Sequence, residues 1–297
     1  MMQALSSAVA GLDGEQTAMN VIGNNIANVN TTGFKSSSAD FTTLLSQVLS
    51  SGSSPVLTGT APGTPVLGGT NPVEVGLGVG IGSINQNMAQ GPLQQTGNPL
   101  DVAIQGNGFL TLSGAQGTVY SRDGGLEIDS NGDLVQASTG SLVEGWQASA
   151  TGTITQSQTV TPLQIPQTYT PSGGTQESLA AVAIGSNGVI TATYQGASGT
   201  SNQVTVAQIA LGTFPNANGL VAVSGTSYVV GPNSGSVTYA GPGSSGAGAL
   251  AVGSLEQSNV DISQELTNMI VAERSYQVDA KVITTADTML QSLIQIQ

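Results

Sequence analysis

"ISQELTNMIVAERSYQVDAKVITTADTMLQSLI" spans Ile262–Ile294. Ile262, Met269, Tyr276, Ile283 and Leu290 stand seven residues apart in an unbroken column. Leu266, Glu273, Ala280, Asp287 and Ile294 form a companion column, interrupted by two acids. A seven-residue repeat keeps its side chains on one stripe of a helix that packs along another helix. "SNVD" (Ser258–Asp261) supplies a Ser with a carboxylate three residues on, a shortened capping box. The spacing predicts a helix over 261–296.

The other end carries a matching pattern. Leu5, Leu12, Met19 and Ile26 recur at seven, with Ala8, Glu15, Ile22 and Val29 as a second column. This predicts a helix over 2–29. Helices with so much Ser, Thr and Asn are marginal in water, so each seam needs a partner. The simplest partner for one end is the other. The expected fold is α+β and discontinuous. Residues 1–30 and 256–297 form one coiled-coil helical domain, 31–82 an irregular connecting segment and 83–255 an inserted all-β domain. The plainer alternative lays two amphipathic helices on a central domain. The acids Glu273 and Asp287 weigh against a simple dimeric coiled coil and point to polar groups, water or neighbouring subunits.

Between the first helix and the connecting segment runs "IGNNIANVNTTGFK" (Ile22–Lys35). Asn competes for backbone hydrogen bonds and resists helix interiors. An ordinary helix stop accounts for one or two Asn and Gly33, and a sugar-binding site for amides and hydroxyls. A mechanical joint is the third reading, in which Asn24, Asn25 and Asn28 would bond irregular backbone without adding charge, with Thr32 in the same run. Gly33 permits a turn, and Phe34 anchors it beside Lys35.

Between Ser46 and Val75 the chain is rich in Ser, Gly, Thr and Pro, which predicts an irregular segment packed in an assembly. From Val79 the period changes to two. Asn107-Gly108, Asn131-Gly132, Asn187-Gly188 and Asn218-Gly219 mark expected tight turns. One charged residue, Glu177, lies between Gly145 and Leu255. Strand edges so neutral invite pairing unless they are covered or assembled.

Composition narrows the function. Only 7% of residues are charged, and the net charge is −13. Lys35, Arg122, Arg274 and Lys281 are the cations, too few and too scattered for nucleic acid or anionic membranes. The absence of Cys and His rules out thiol chemistry and His-ligated metals. The start "MMQALSSAVAGLDGEQ" predicts no cleavable leader, and no apolar run predicts membrane insertion.

Chemistry finds little footing. Without His, a Ser nucleophile would need an unusual base. Asp123, Glu127, Asp129 and Asp133 cluster, but a glycosidase also needs sugar-binding aromatics, and these are 4% of the chain. "DSNGD" lacks the Gly at position six and the terminal Glu of a Ca²⁺ loop and reads as a turn. "GLGVGIG" (Gly76–Gly82) is followed by no helix and reads as a kinked strand. The expectation is a non-enzyme without cofactor or metal.

"NNIANVNTTGFK" (Asn24–Lys35), Gly253–Ile294 and "LDVAIQGNGFLTL…YSRDGGLEIDSNGDLV" (Leu100–Val135) resemble the bacterial flagellar rod and hook family. The resemblance implies an axial subunit that polymerises helically into a hollow tube and transmits motor torque. It implies type III export without a cleaved signal. The partners would be copies of itself, neighbouring rod, cap and junction proteins, and the export apparatus, in an extracellular hook-basal body. Self-assembly would fall to Leu5, Leu12, Met19, Ile26, Ile262, Leu266, Met269, Tyr276, Ala280, Ile283, Leu290 and Ile294. "EGWQASATGTI" with "TPLQIP" (Glu144–Pro166) is similar to the hook member of the family, here in a short form, with the distal rod member as the alternative. A secreted β-rich adhesin or carbohydrate-binding module is the alternative from another class.

Overall fold

The computed structural model describes residues 2–53, 69–114, 117–149, 152–171, 176–196 and 201–295. The chain is α+β, with a helix near each end and a β-rich middle. It divides into two compact units: Met1–Ile26, Ser37–Asn85 and Ile262–Gln297 form one, and Ala27–Ser36 with Gln86–Asp261 the other.

The first unit holds helix α1 (Met2–Ala27) and helix α2 (Ile262–Gln295). Both lie within two residues of the expected bounds. Between them in sequence come β1 (Ser37–Thr43), β2 (Ser46–Ser50), β3 (Val73–Gly76) and β4 (Val79–Gln86). β1 pairs with β4, and β2 antiparallel with β3 through Ser46–Gly76, Gln47–Val75 and Val48–Glu74. This differs from the irregular segment expected over 31–82. Gly and Pro dominate the composition there, but Val48, Val73 and Val75 supply branched residues in the strands themselves. The heart of the Gly/Pro run, 54–68, lies outside the described residues. No helix among the described residues is long and apolar enough to cross a membrane.

The second unit is built on a large antiparallel sheet. Glu177–Ile184, Val189–Gln195, Ser201–Ile209, Leu142–Gln147, Phe109–Gly114 and Gly117–Ser121 neighbour one another in that order. Alternation puts Leu110, Leu112, Val143, Ile190 and Ile209 into the core, each essentially without solvent exposure. Trp146 is buried and donates its Nε1 hydrogen to the Ser157 carbonyl at 2.9 Å. A smaller aromatic cluster gathers Phe109, Tyr120, Leu220 and Tyr228, with Phe109 edge-on to Tyr228 at 5.8 Å.

Three of the four Asn-Gly glycines take positive φ: Gly108, Gly132 and Gly188. Gly219 instead ends a short 3₁₀ turn, Ala217–Gly219. A Cβ there would meet the Asn233 backbone at 2.5 Å, so close approach, not a hairpin, explains this glycine.

Candidate assembly elements

In the first unit, small side chains bring the two helices together. Ala8, Gly11, Gly14, Ala18 and Asn25 are the buried residues of α1, and Ala272 and Ala286 those of α2. A Cβ on Gly11 would collide with the Asp279 carboxylate. Asn25 Nδ2 donates to Glu265 Oε1 at 2.9 Å. From Gly11 to Asn25 the first helix advances as far as the second retreats from Asp279 to Glu265, so the helices run antiparallel here. The buried column Gly11, Ala18, Asn25 repeats every seven residues, as does Ala272, Asp279, Ala286.

The apolar columns expected to form the seam lie beside this line. Leu5, Leu12, Met19 and Ile26 are half-buried, as are Met269, Ala280 and Ile283. Ile262, Leu266, Tyr276, Leu290 and Ile294 are exposed, Ile294 by 73%. Gly and Ala let helix backbones approach, so the large side chains are displaced to the flanks. Glu15 has its pKa raised, first by burial and then by the nearby Asp279 carboxylate.

Asn25 is wholly buried and ties three elements. Besides Glu265 on α2, its Nδ2 donates to the Ser37 carbonyl at 2.8 Å. The Ser37 N–H donates to Asn25 Oδ1 at 3.0 Å. One amide thus fixes the start of β1 as a backbone neighbour would.

In the second unit, Ala27–Ser36 continues the Asn-rich motif. Asn28 accepts from the Thr31 N–H and, on Oδ1, from the Thr31 hydroxyl, which rounds off the helix end. Asn24 also has an interaction partner. Gly33 has φ +68°, and a Cβ would meet the Asp123 nitrogen at 2.7 Å. Its N–H donates to the Glu256 carbonyl at 2.8 Å. Thr32 donates to Asp123 Oδ1 at 3.0 Å, and Phe34 is half-buried.

Lys35 is 1% exposed. Its Nζ donates to Glu256 Oε1 at 2.6 Å and to the Ala89 carbonyl at 2.7 Å. Glu256 Oε1 also accepts from the Gly91 N–H, and Oε2 from Arg122 Nη1 at 3.3 Å. Arg122 Nη2 reaches the Gly106 carbonyl at 2.8 Å, and the guanidinium lies 5.1 Å from the Phe109 ring centre. Burial lowers the pKa of both Lys35 and Arg122, and Glu256 works against that in each. The motif's single cation is therefore a buried structural ion, held where family resemblance placed only a joint.

Sequence reading missed Asn259. Its Oδ1 accepts from the Ser36 N–H, and its Nδ2 donates to the carbonyls of Asn87 and Ala89. The Asn87 N–H donates to the Ser36 carbonyl. These bonds bundle three of the four ends of chain of this unit, those near Ser36, Gln86 and Asp261. Asn259 lay inside the "SNVD" cap signal, which drew attention to Ser258 and Asp261 instead. Ser258 Oγ accepts from the Val260 N–H, two residues on.

Of the acid cluster of the hairpin, Asp129 holds the turn and Asp123 the segments around it. Asp129 Oδ1 accepts from the N–H groups of Asn131 and Asp133, at 2.8 and 2.9 Å. Asp123 accepts from Thr32, Gly125, Gln136 and Ser138.

These features define a structural protein, whose terminal helices share one unit and whose buried ions brace another. The chain belongs to the flagellar basal-body rod and hook family. Residues 5–35 match the flagella basal body rod protein model, 103–192 the flagellar hook protein FlgE/F/G D1 domain, and 251–296 the flagellar basal body rod FlgEFG protein C-terminal model. The flagellar basal-body rod protein FlgG of Bacillus subtilis is 36% identical over 301 residues, covering 100% of both chains. The FlgG of Caulobacter vibrioides is 35% identical over 297 residues, again covering both chains fully. The flagellar hook protein FlgE of Treponema pallidum is 47% identical over 148 residues, 50% of this chain and 30% of its own.

Proposed function

We propose that this chain is a distal-rod subunit of the flagellum, polymerising helically into a hollow tube that carries motor torque. The observation that carries the reading is the end-to-end match to rod proteins of like length. A full-length match to the hook protein of Borreliella burgdorferi is 27% identical and spreads over 455 aligned residues. The hook remains the second reading, supported by the 47% identity over half of the chain to the hook protein of Treponema pallidum.

On either reading the terminal helices form an inner coiled coil that supplies axial packing. The β-rich unit, inserted between them in sequence, forms the outer layer. Each heterologous contact repeats without closing, so stiffness depends on how far neighbouring β-rich units slide. Copies of the chain are the main partners, with adjoining rod, hook, cap and junction proteins at the ends. Export through the flagellar type III apparatus delivers the chain outside the cell. No catalytic role is assigned.

Electron microscopy of purified polymer tests the choice: short straight tubes support the rod, and long curved tubes the hook. Removing residues 290–297 should abolish polymerisation while the β-rich unit stays folded. Normal polymers from that truncation would defeat the role given to the terminal helices.

A further inference from the structure

At one end of the large antiparallel sheet lies the strand Val221–Ala222, paired on one side only, with Ser227–Val229. We propose that two copies of the chain join here edge to edge, antiparallel about a two-fold axis at Ala222. Such a pair is closed, so it is not the contact that propagates a tube. It goes beyond the assembly reading and stands apart from it: it is how a chain outside the polymer covers this edge.

Register and burial single out this strand. Leu112 stands opposite Val119, and Tyr120 opposite Tyr228, which sets Val119 opposite Val229. Val229 in turn stands opposite Val221. One face of the sheet thus runs from the main core, where Leu112 is fully buried, out to Val221 and Val223, exposed by 49% and 47%. The Val223 N–H donates to the Ser227 carbonyl at 2.9 Å. Ala222, one residue before, therefore turns its own N–H and carbonyl away from the sheet, toward the open edge. The other end of the sheet, Thr168–Tyr169, stands between Pro166 and Pro171, and proline guards an edge against pairing. Val221–Ala222 has neither charge nor proline to do so.

A second copy is the occupant that fits. Each chain carries a net charge of −13, so copies repel wherever their acids meet. This hairpin lies in the neutral stretch between Gly145 and Leu255, whose one charged residue is Glu177. Two such edges approach without like charges opposed. They are also self-complementary. With Ala222 on the axis, its N–H and carbonyl exchange hydrogen bonds with those of its counterpart, and Val221 of each copy falls opposite Val223 of the other. Four valines then line one face as two cross-strand pairs, the unit that stabilises a sheet. Apart from Val230 beside them, the described residues of this unit expose no other large apolar side chain for the two valines to meet. The contact covers far less than the ~800 Å² per partner of a standard stable interface, so the pair is weak and reversible.

The chain has no cysteine, so single introduced thiols report the register. Full-length Val221→Cys and Val223→Cys proteins are mixed and mildly oxidised, with circular dichroism confirming the fold of each. The mixture should yield about fivefold more disulfide-linked dimer than either variant alone, because opposed positions of this kind lie ~4.5 Å apart between Cα atoms. Ala222→Cys should crosslink on its own, its Cα atoms lying ~5.5 Å apart across the axis. Adding Val221→Lys to Ala222→Cys should cut that yield about fivefold, through the lost valine pairs and the new like charges. Equal yields from the mixture and from the single variants mean chance collision and overturn the proposal. So does an Ala222→Cys yield that Val221→Lys leaves unchanged. Electron microscopy reads the assembly reading separately: tubes without these crosslinks sink the pair alone, and crosslinks without tubes sink the assembly reading alone.

Discussion

Gly33, Lys35 and Glu256 show how a short motif is held by single atoms. Gly33 faces two demands at once, a left-handed φ and backbone against its Cα. Gly33→Ala should therefore cost about 2 kcal/mol or more, read from urea unfolding of the full chain. Glu256 is the ion-pair partner of two buried cations, so Glu256→Gln should cost about 3–5 kcal/mol. Lys35→Met should cost less, because Glu256 keeps Arg122 and the Gly91 N–H; equal losses in the two variants would contradict this account of the cluster. Glu144 is a different case. It is buried, Oε2 has no partner among the described residues, and burial raises its pKa. A raised carboxyl pKa means the folded state binds the proton more tightly than the unfolded one. Its stabilising effect is full below the usual carboxylate range and is lost as pH rises through the folded pKa. Glu144→Gln should flatten this part of the pH dependence and raise the melting temperature near neutral pH. A wild-type and variant pair with parallel melting curves from pH 4 to 8 would rule out the assigned burial.

At the scale of the element, the helices divide their surfaces between two tasks. The close contact uses Gly11, Ala18, Asn25, Ala272 and Asp279, and the larger apolar columns stay half-buried or exposed. Gly11→Leu should separate α1 from α2 by collision with Asp279, seen as lost helical signal in the monomer. Leu266→Ser with Ile294→Ser should leave monomer stability within about 0.5 kcal/mol and still raise the critical concentration for assembly. A stability loss in the monomer would place those residues in the intramolecular contact instead. The existence of both helices was legible, since seven-residue columns and the change to period two are strong signals. Which column packs was not. Apolar periodicity marks the side chains that need cover, not whether the cover comes from the same chain. A column of Gly, Ala and Asn has no hydropathy to announce it. The β2–β3 ribbon was hidden for a related reason: Gly and Pro around 54–68 set the composition of the whole stretch from Ser46 to Val75. The end of α1 within the Asn-rich run was legible, whereas the partners of Lys35 lie at Ala89 and Glu256, contacts that no local pattern reveals.

For the molecule as a whole, the contrast between the units sets its behaviour. The second unit has an extensive core of Val, Ile, Leu and Trp with almost no exposure. The first is held by a line of small residues and leaves Leu45, Leu49, Val73, Ile270, Val271 and Ile294 open. A helix draws most of its stability from packing, and exposed apolar patches of this extent mark surfaces awaiting a partner. Local opening should therefore be frequent in the first unit and rare in the second. Hydrogen exchange on the monomer should show amides of α1, α2 and β1–β4 exchanging far faster than those of Phe109–Gly114, Leu142–Gln147 and Ser201–Ile209. Polymerisation should slow the first set and leave the second nearly unchanged, because assembly covers the apolar columns while the β core is already complete. Equal protection of both sets in the monomer, unaltered by concentration, is what a self-contained secreted adhesin would give. It would remove the physical basis for assembly through the terminal helices, since a surface already stable alone gains little from a neighbour.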